Sequence, residues 1–519
     1  MRKFLPSLLL LCSLPLGAAP PAKTPPKLVL AIVVDQFRYD YLTRFRKEYH
    51  AGFERLLEHG AVFTNAHHIA VPTVTAIGHS TFLSGATPSI SGIAGNEWYD
   101  REAKHNVTSV SDDSVTMVGG LPGKTGSSPH RLLVSTLGDE LKMHGEGSKV
   151  IGISIKDRSA ILPVGHMADA AYWFDAGSDH WVTSSYYRPE LPDWVKQIND
   201  ENPSHRFAKA VWRPVDAKES AQPFCGISGE SGVPVCRSLE ATPWANEMIE
   251  ELAEKAIVSE KLGQRTDTDI LAVSFSANDY VGHAKGPDAP EVRDMSIRTD
   301  RLLGKLLDFV DHHVGPGNTV IVLTADHGVA PLPEVNQARK MPGGRLSNAT
   351  LQQKVQDTLS EKYGPGKWVV AAPTAALYLN DELIRSKNLS KAEVEQVAVD
   401  ALMTLPHAFR VYSGEKLKNN EAVQDFITRY VGNGYFPQRS ADILFLADPF
   451  YLFESSGTSH GTAFNYDTHV PVIFMGPGIK PGSYAESAAV NDIAPTLANM
   501  LGVQFPSGSV GRVLSEMLH

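Results

Sequence analysis

Acidic and imidazole side chains follow two apolar runs of the sequence just after each run ends. Asp35 follows Leu28–Val34, and Asp326 and His327 follow Thr319–Thr324. A single aspartate behind a strand is in most cases a turn or helix-cap residue. Two such positions, together with those described next, instead indicate a site that binds cations.

A third apolar run, Asp269–Phe275, leads to Asp279 and His283, and a further histidine, His460, lies in the segment Gly457–Thr462. The spacing of Asp279 and His283 presents both side chains to one ion from a single helical turn or a compact loop. Carboxylate and imidazole ligands together suit Zn²⁺, although Mn²⁺ or Fe occupies similar sets.

These residues are numerous enough to hold two ions. One ion would be held by Asp279, His283 and His460. The other would be held by Asp35, Asp326 and His327, with one coordination position left open for a nucleophile.

The candidate nucleophile is Thr75, at the start of a helical pattern that ends at Gly85. The first N–H groups of a helix and its dipole favour an alkoxide and an incoming phosphate. A threonine in this position is most often only a helix cap. Its chemistry depends on the cations, because a neutral hydroxyl is a poor nucleophile until a cation or a base activates it.

A sheet must bring these residues together. Five apolar runs are typical of strands buried on both faces of a parallel sheet: Leu28–Val34, Lys149–Ile155, Asp269–Phe275, Thr319–Thr324 and Val470–Met475. Helical patterns lie between them, at Ser296–Val310 and Val490–Leu501. The alternation predicts an α/β fold, with a central, mostly parallel sheet between helices and ligands at its carboxyl edge.

Two regions interrupt this alternation, at about residues 160–245 and 331–450. The second has its own helix, Lys391–Thr404, and strands at Val369–Leu379 and Ile443–Leu446. We expect one catalytic domain over residues 23–519, with both regions as insertions that cap the active site. The alternative is that they are ordinary excursions of one domain.

The first 22 residues have the pattern of a secretory signal peptide, with cleavage expected between residues 18 and 22. No later apolar stretch is long enough to span a bilayer, so we expect a periplasmic or secreted protein without stable membrane insertion. Export removes Cys12 and leaves Cys225 and Cys236, which are either a disulfide pair or two unrelated thiols. The net charge of −10 argues against binding nucleic acid as a polymer.

The order Asp, Thr-x-x-Gly-His, Asp-x-x-x-His, Asp-His-Gly, Thr-x-His-Gly resembles the alkaline phosphatase superfamily, from Asp35 to His460. Within it, the chain is similar to the periplasmic phosphate-irrepressible alkaline phosphatases with a threonine nucleophile. The resemblance implies an alkaline-phosphatase-like fold, two Zn²⁺ ions with the ligands grouped above, and Thr75 as both nucleophile and ligand of the second zinc.

The resemblance also implies a set of substrate-binding residues. Asn96, in Gly95–Trp98, matches an asparagine that contacts a phosphoryl oxygen, and Lys156 and Arg158 match a Lys-x-Arg that binds the same group. A monoester dianion has three non-bridging oxygens to neutralise, and arginine grips two of them in a fork. We therefore expect hydrolysis of small phosphate monoesters through a phosphothreonine intermediate.

Other functions remain as alternatives. A phosphodiesterase or nucleotide pyrophosphatase would use the same metals, and a non-catalytic metal-binding envelope protein would use the ligands alone. Sulfatases carry a Cys-x-Pro-x-Arg motif that is absent here. Residues interpreted as surface, packing or supporting groups are His67, His68, His79, His312 and His313. Of His460 and His469, the family pattern favours His460 as the ligand. The oligomeric state and any additional ions are left open.

Overall fold

The computed structural model describes residues 25–145, 147–207, 210–214, 226–228, 233–235, 239–422 and 425–519. The predicted signal peptide and the three cysteines, Cys12, Cys225 and Cys236, lie outside the described residues. In the described part of the chain, no helix is long and apolar enough to cross a lipid bilayer.

An eleven-stranded main sheet, a four-stranded sheet and a hairpin organise the chain. In chain order their strands are β1 (Leu28–Val34), β2 (Ala61–Phe63), β3 (Glu97–Asp100), β4 (His105–Thr108), β5 (Ser111–Val118), β6 (Thr125–Ser127), β7 (Val150–Ser154), β8 (Ala170–Asp175), β9 (His180–Ser184), β10 (Asp269–Phe275), β11 (Thr319–Thr324), β12 (Val369–Ala371), β13 (Ala376–Leu379), β14 (Ala408–Ser413), β15 (Ile443–Ala447), β16 (Val472–Met475) and β17 (Gly482–Tyr484).

Helices alternate with these strands along the chain. They are α1 (Asp40–Arg44), α2 (Gly52–His59), α3 (Thr75–Ser84), α4 (Pro88–Ser91), α5 (Leu137–His144), α6 (Asp157–Ile161), α7 (Asp193–Asp200), α8 (Pro243–Ser259), α9 (Ala277–Lys285), α10 (Pro290–Val314), α11 (Pro333–Ala338), α12 (Asn348–Tyr363), α13 (Asp381–Ser386), α14 (Lys391–Leu402), α15 (Gly414–Lys418), α16 (Phe426–Gly434), α17 (Asn465–Thr468) and α18 (Ile493–Leu501).

The main sheet has the strand order β17, β2, β16, β11, β1, β10, β7, β8, β9, β5, β6. Its central strands β11, β1, β10, β7 and β8 are parallel, whereas β16 and β9 on either side are antiparallel to their neighbours. The predicted α/β fold is confirmed, but the sheet is mixed, and the strand predicted at Val470–Met475 is the antiparallel β16. A continuous apolar run indicates a strand that is buried on both faces, but it does not show whether the strand runs parallel or antiparallel to its neighbours.

Burial explains the positions of the central elements. All seven residues of β1 are buried, and β1 pairs with both β10 and β11, so the carboxyl ends of these three strands lie side by side. In the helical pattern predicted at Ser296–Val310, one apolar face of α10 is buried, and α10 packs against α2 and α8. Helix α3 ends as predicted at Gly85, whose positive φ of 66° favours glycine.

The first predicted insertion contributes to the main sheet. Strands β8 and β9 lie within it, and β8 pairs in parallel with β7. This part of residues 160–245 therefore widens the sheet and does not form a separate cap. The run Ala170–Phe174 is buried throughout, as expected for a strand inside a sheet.

The second region, residues 331–450, builds a four-stranded antiparallel sheet with the order β12, β13, β15, β14. One face of this sheet packs on α12 and α14 in an apolar core of its own, which includes Leu359, Leu402 and Phe445. The single strand predicted at Val369–Leu379 is two strands, β12 and β13, with Pro373 in the turn between them. We call residues 331–450 the cap region.

A buried carboxyl group in the cap region makes stability depend on pH. Glu395 of α14 is fully buried, its Oε2 accepts hydrogen bonds from Ser413 Oγ (2.7 Å) and Glu415 N (2.9 Å), and burial raises its pKa to about 7. A raised pKa stabilises the folded state fully below the unfolded value of about 4.3, and this stabilisation is lost as pH rises to about 7.

We expect Glu395→Gln to remove most of this pH dependence, which we put at about 3 kcal/mol between pH 4 and pH 8. The measurement is the midpoint of thermal unfolding across that range. Glu393→Gln, on the exposed face of the same helix, is the matched control and should follow the wild type. Equal slopes for the wild type and Glu395→Gln would contradict the prediction.

Candidate active site

Three neighbouring parallel strands each deliver acidic side chains to the same edge of the main sheet. Asp35 follows β1, Asp326 follows β11, and Asp279 lies on α9, which begins directly after β10. All three carboxylates are at least 95% buried, since their exposed fractions are 0%, 1% and 5%. Parallel strands place their carboxyl ends together, and this is the edge where ligands bind in α/β sheets.

The first predicted metal group comes together as expected. Ligand atoms of Asp279, His283 and His460 all lie within 4.8 Å of one another. His283 Nε2 is 3.3 Å from Asp279 Oδ1 and 3.2 Å from His460 Nε2. A carboxylate with two imidazoles is a donor set that suits a borderline cation such as zinc.

The second group is arranged around Asp326. Its Oδ2 is buried without a hydrogen-bond partner and lies 3.2 Å from His327 Nε2. A buried, unpaired carboxylate oxygen is costly unless a cation satisfies it, so the residues here fit a bound metal. By distance alone, the carboxylates of Asp35 and Asp326 cluster with His79, which the sequence analysis interpreted as a supporting residue.

Hydrogen bonds distinguish His79 from His327. His79 Nδ1 donates to Thr75 O (2.9 Å), and its Nε2 lies 2.9 Å from Ser274 Oγ, which in turn donates to Asp35 Oδ1 (2.7 Å). Both nitrogens of His79 are therefore engaged. His327 uses Nδ1 to donate to Gly328 O (2.9 Å), which leaves Nε2 for a ligand. This favours His327 as the ligand and His79 as a residue that holds Asp35 in place.

All three candidate histidine ligands donate a hydrogen bond from Nδ1 to a main-chain carbonyl oxygen and leave Nε2 for a ligand. Nδ1 of His283 donates to Thr458 O and Nδ1 of His460 donates to Thr73 O, each over 2.7 Å, in the manner of His327. An imidazole whose Nδ1–H bonds the main chain has a fixed tautomer, with the Nε2 lone pair available to a metal.

Lys156 supplies positive charge to the carboxylates. Its Nζ donates to Asp35 Oδ2 over 2.9 Å and to Asp279 Oδ2 over 2.7 Å, and the side chain is buried. Burial by itself raises the pKa of a carboxyl group, but Lys156 outweighs it and holds the pKa of both aspartates well below the usual range. The pKa of Lys156 is raised in return. The carboxylates are therefore ionised at any working pH.

The imidazoles respond to the same charges. Burial lowers the pKa of an imidazole, yet Asp326 raises the pKa of His327 to about 9, and Asp279 raises that of His283. Burial and the two neighbouring imidazoles hold the pKa of His460 well below its usual value. The carboxylates thus make this edge of the sheet strongly attractive to positive charge.

Thr75 lies beside the second group and not at a cap position. It is the first residue of α3, directly after the extended N-cap residue Val74. The buried hydroxyl Oγ1 is 3.3 Å from His327 Nε2. Gly78, one turn along α3, allows this approach, because a Cβ there would overlap the backbone of Asp326.

The predicted substrate-binding residues occupy the neighbouring space. Asn96 and Arg158 line a cavity of about 710 Å³ together with His283 and His460. Asn96 Oδ1 accepts a hydrogen bond from Ala76 N (2.8 Å), so its amide N–H groups are left for an acceptor in the cavity. Arg158 Nε is buried without a partner. Lys156 reaches the carboxylates and is not part of the cavity wall.

His469 lies away from this site. Its Nε2 lies 3.0 Å from Thr64 O, and its ring stacks between those of Tyr39 and His67, at centroid distances of 4.4 and 4.7 Å. The sequence predicts His460 and not His469 as the ligand, and this packing agrees with that prediction.

Gln36 is a further residue of this site that the sequence patterns do not indicate. Its main-chain N–H donates to Asp326 Oδ1 (2.9 Å), and its side-chain Nε2 donates to Asp279 Oδ1 (2.7 Å), so one residue contacts both metal groups. Its φ of 56° is unusual for a residue with a side chain. The one feature of the sequence that could have indicated Gln36 is its position immediately after Asp35.

Comparison with known proteins identifies the family. The family described as type I phosphodiesterase / nucleotide pyrophosphatase matches residues 29–469, which is most of the chain. The chain belongs to this family. The predicted resemblance to the alkaline phosphatase superfamily is thereby confirmed.

Several members of this family match nearly the whole chain. The alkaline phosphatase PafA of Elizabethkingia meningoseptica is 35% identical, covering 95% of this chain and 94% of its own. The alkaline phosphatase PhoV of Synechococcus elongatus is 36% identical, covering 95% and 93%. A protein of Myroides odoratus that is named a calcium-transporting ATPase is 37% identical, covering 95% of each chain.

A crystal structure of wild-type alkaline phosphatase PafA has the same fold. It matches with a TM-score of 0.88 at 35% sequence identity, covering 97% of this chain and 100% of that one. The mixed α/β sheet with its flanking helices is therefore the fold of this relative as well.

We predict that the side-chain amide of Gln36 is needed for metal retention at the group that contains Asp279. Gln36→Glu replaces an N–H donor by a carboxylate facing Asp279, and Gly282→Ala drives a methyl group into the Gln36 amide. Loss of a residue that orients metal ligands typically lowers metal affinity about 10- to 100-fold. The measurement is the metal content of each variant after dialysis against increasing concentrations of a chelator.

The matched control is Gln337→Glu, an exposed glutamine whose Nε2 donates to Gly343 O, away from the site. It should retain metal as the wild type does. Wild-type metal retention by both Gln36→Glu and Gly282→Ala would refute the assignment.

Proposed function

We propose that this chain is an alkaline phosphatase that hydrolyses phosphate monoesters in two steps, with Thr75 as the nucleophile and two Zn²⁺ ions as cofactors. The observation that carries the proposal is the position of the Thr75 hydroxyl, buried at the first turn of α3 and 3.3 Å from a ligand nitrogen of His327. The names of the PafA and PhoV relatives support the same activity.

The proposed zinc ligands follow the two groups described above. We assign Asp279, His283 and His460 to one ion. We assign Asp35, Asp326, His327 and Thr75 to the other. When bound, the ions supply positive charge that lowers the pKa of a hydroxyl and stabilises negative charge on ester oxygens.

In the proposed reaction, Thr75 is the nucleophile and other residues hold the phosphoryl group. The Thr75 oxygen attacks phosphorus as the ester P–O bond breaks, which releases the alcohol and leaves phosphothreonine. Water then attacks phosphorus from the side that the alcohol left, the Oγ–P bond breaks, and Thr75 regains its proton. Asn96 and Arg158, which line the cavity, hold the non-bridging oxygens during both steps. Lys156, whose Nζ lies between Asp35 and Asp279, contributes its positive charge to the same phosphoryl group from behind the cavity wall.

A variant of PafA supports these residue roles. A second crystal structure of that relative carries substitutions at a threonine, an asparagine, a lysine and an arginine. The same four residue types occur here in the same order, as Thr75, Asn96, Lys156 and Arg158.

The main alternative is a phosphodiesterase, since the family takes its description from that activity. A diester carries a second organic group on one non-bridging oxygen, and a cation placed against that oxygen disfavours it. Arg158 lines the cavity with an unpaired Nε, and Asn96 presents its amide to the same space. These donors suit a dianion with three free oxygens, so we prefer the monoesterase.

Replacing the nucleophile tests the central step. We expect Thr75→Ala to lower kcat for p-nitrophenyl phosphate on the order of a thousandfold or more. An acid-quenched wild-type reaction should carry a phosphoryl group on the peptide that contains Thr75. Thr81→Ala, a buried threonine on the same helix, is the matched control. Full activity of a folded, metal-loaded Thr75→Ala protein would defeat the mechanism.

Arg158→Ala tests the class of ester. Loss of a charge-assisted hydrogen bond costs about 1.5–3 kcal/mol, so we expect kcat/KM for p-nitrophenyl phosphate to fall roughly 10- to 100-fold. Turnover of the bis ester should change little. Arg55→Ala, at an exposed ion pair with Asp311, controls for loss of a surface arginine. A wild-type preference for the bis ester, or an equal loss on both esters, would favour the diesterase.

A further inference from the structure

The cavity beside the candidate active site extends to the cap region. One end is formed by Asn96, Arg158, His283 and His460. The other end reaches strand β15 of the four-stranded sheet, which places its residues Leu444 to Ala447 along the wall. The cavity thus joins the catalytic edge of the main sheet to a separately packed part of the chain.

Successive side chains of β15 point to opposite faces of its sheet, so only every second residue turns its side chain towards the cavity. Ile443, Phe445 and Ala447 pack into the apolar core formed with α12 and α14. Leu444 and Leu446 lie on the opposite face, among residues of the catalytic side such as Val71. Leu444 is only half-buried, so apolar surface remains open to the cavity.

The rest of the lining is poor in positive charge. Apolar residues along the wall include Val71, Val74, Val110, Leu444, Leu446 and Phe453. Among the described residues that line the cavity, Arg158 is the one lysine or arginine, whereas Glu97, Asp157 and Glu454 contribute carboxylates. Glu97 directly follows Asn96 and Asp157 directly precedes Arg158, so these two carboxylates adjoin the phosphoryl-binding end. Beyond that end, the described lining offers apolar contact, no lysine or arginine, and the carboxylate of Glu454, which disfavours an anion.

The cavity opens on the side of the site from which the alcohol is expected to leave. His283 and His460 line the cavity, whereas Asp35, Asp326 and His327 do not. Thr75, the attacking group, lies beside His327, and an in-line displacement expels the alcohol on the side opposite to the attacking oxygen. The alcohol therefore leaves towards the His283 and His460 side, where the cavity opens.

We propose that the cap-region end of this cavity is a subsite for the alcohol portion of the ester, and that it selects apolar or aromatic alcohols over alcohols that carry a second phosphate. This inference rests on the proposed monoesterase function and names its substrate class. Leu444 is the central contact of the subsite, with Leu446 beside it on the same face of β15.

A matched pair of alkyl esters tests the apolar part. Each methylene group removed from water is worth about fourfold in affinity, so five partly buried methylenes predict a kcat/KM for hexyl phosphate roughly tenfold or more above that for methyl phosphate. Leu444→Asn should remove most of this ratio by raising KM for hexyl phosphate, with a much smaller effect on methyl phosphate. Leu444→Ala should reduce the ratio by a smaller amount.

The control is Leu383→Asn, a half-buried leucine of the cap region that packs against the other core and does not line the cavity. It should keep the wild-type ratio. Because the ratio compares two substrates of one protein sample, partial unfolding of a variant cancels out. Leu444→Ala provides a milder change should Leu444→Asn fail to fold.

A bisphosphate tests the exclusion of anions. 1,6-Hexanediol bisphosphate has the same chain as hexyl phosphate with a distal phosphate, and we expect it to lose the advantage of the hexyl group. Glu454→Gln should restore part of that loss.

The outcomes separate the subsite from the function on which it rests. No turnover of methyl phosphate by the metal-loaded wild type would reject the proposed function itself. Turnover of methyl phosphate with an equal kcat/KM for hexyl phosphate would reject the subsite alone. A bisphosphate as good as hexyl phosphate would overturn the exclusion of anions, and an unchanged ratio in both Leu444 variants would overturn the role of Leu444.

Discussion

Three carboxylates buried side by side constrain the rest of the structure. Asp35, Asp279 and Asp326 end or follow neighbouring strands with almost no access to water. Like charges in such a place repel one another and lose their hydration, and the folded chain tolerates them only where positive charge is supplied. Lys156, the histidines and the amide of Gln36 supply part of it. The remaining negative charge makes this edge of the sheet a candidate metal-binding site.

The sheet brings the carboxylates together, and close packing holds them there. Because β1 pairs in parallel with both β10 and β11, three strand ends meet without any long-range adjustment. Helix α3 then approaches through Gly78, and α9 approaches the Gln36 amide through Gly282. A side chain at either glycine would separate elements whose ligands must lie within a few ångströms. The site is therefore as sensitive to packing as to the ligands themselves.

Much of this arrangement is predictable from local patterns. Apolar runs located the central strands, and the ligand candidates lie at their ends. Strand direction was not predictable, because burial leaves the same pattern in β16 as in its parallel neighbours. Residues 170–184 extend the main sheet through pairing partners that are remote in sequence. Gln36 escaped notice because its role depends on a positive φ and on contacts with two distant loops.

Two separate apolar cores support two different parts of the site, the charged residues and the wall proposed to contact the alcohol portion of the substrate. The main core fixes the carboxylates and the Thr75 hydroxyl, while the core between α12, α14 and the four-stranded sheet supports the far wall of the cavity. Substitutions on the open face of β15 alter that wall without moving any metal ligand. Under the proposed function, a family described by diesterase activity and relatives named alkaline phosphatases can share one catalytic edge, with the residues around the ester distinguishing their substrates.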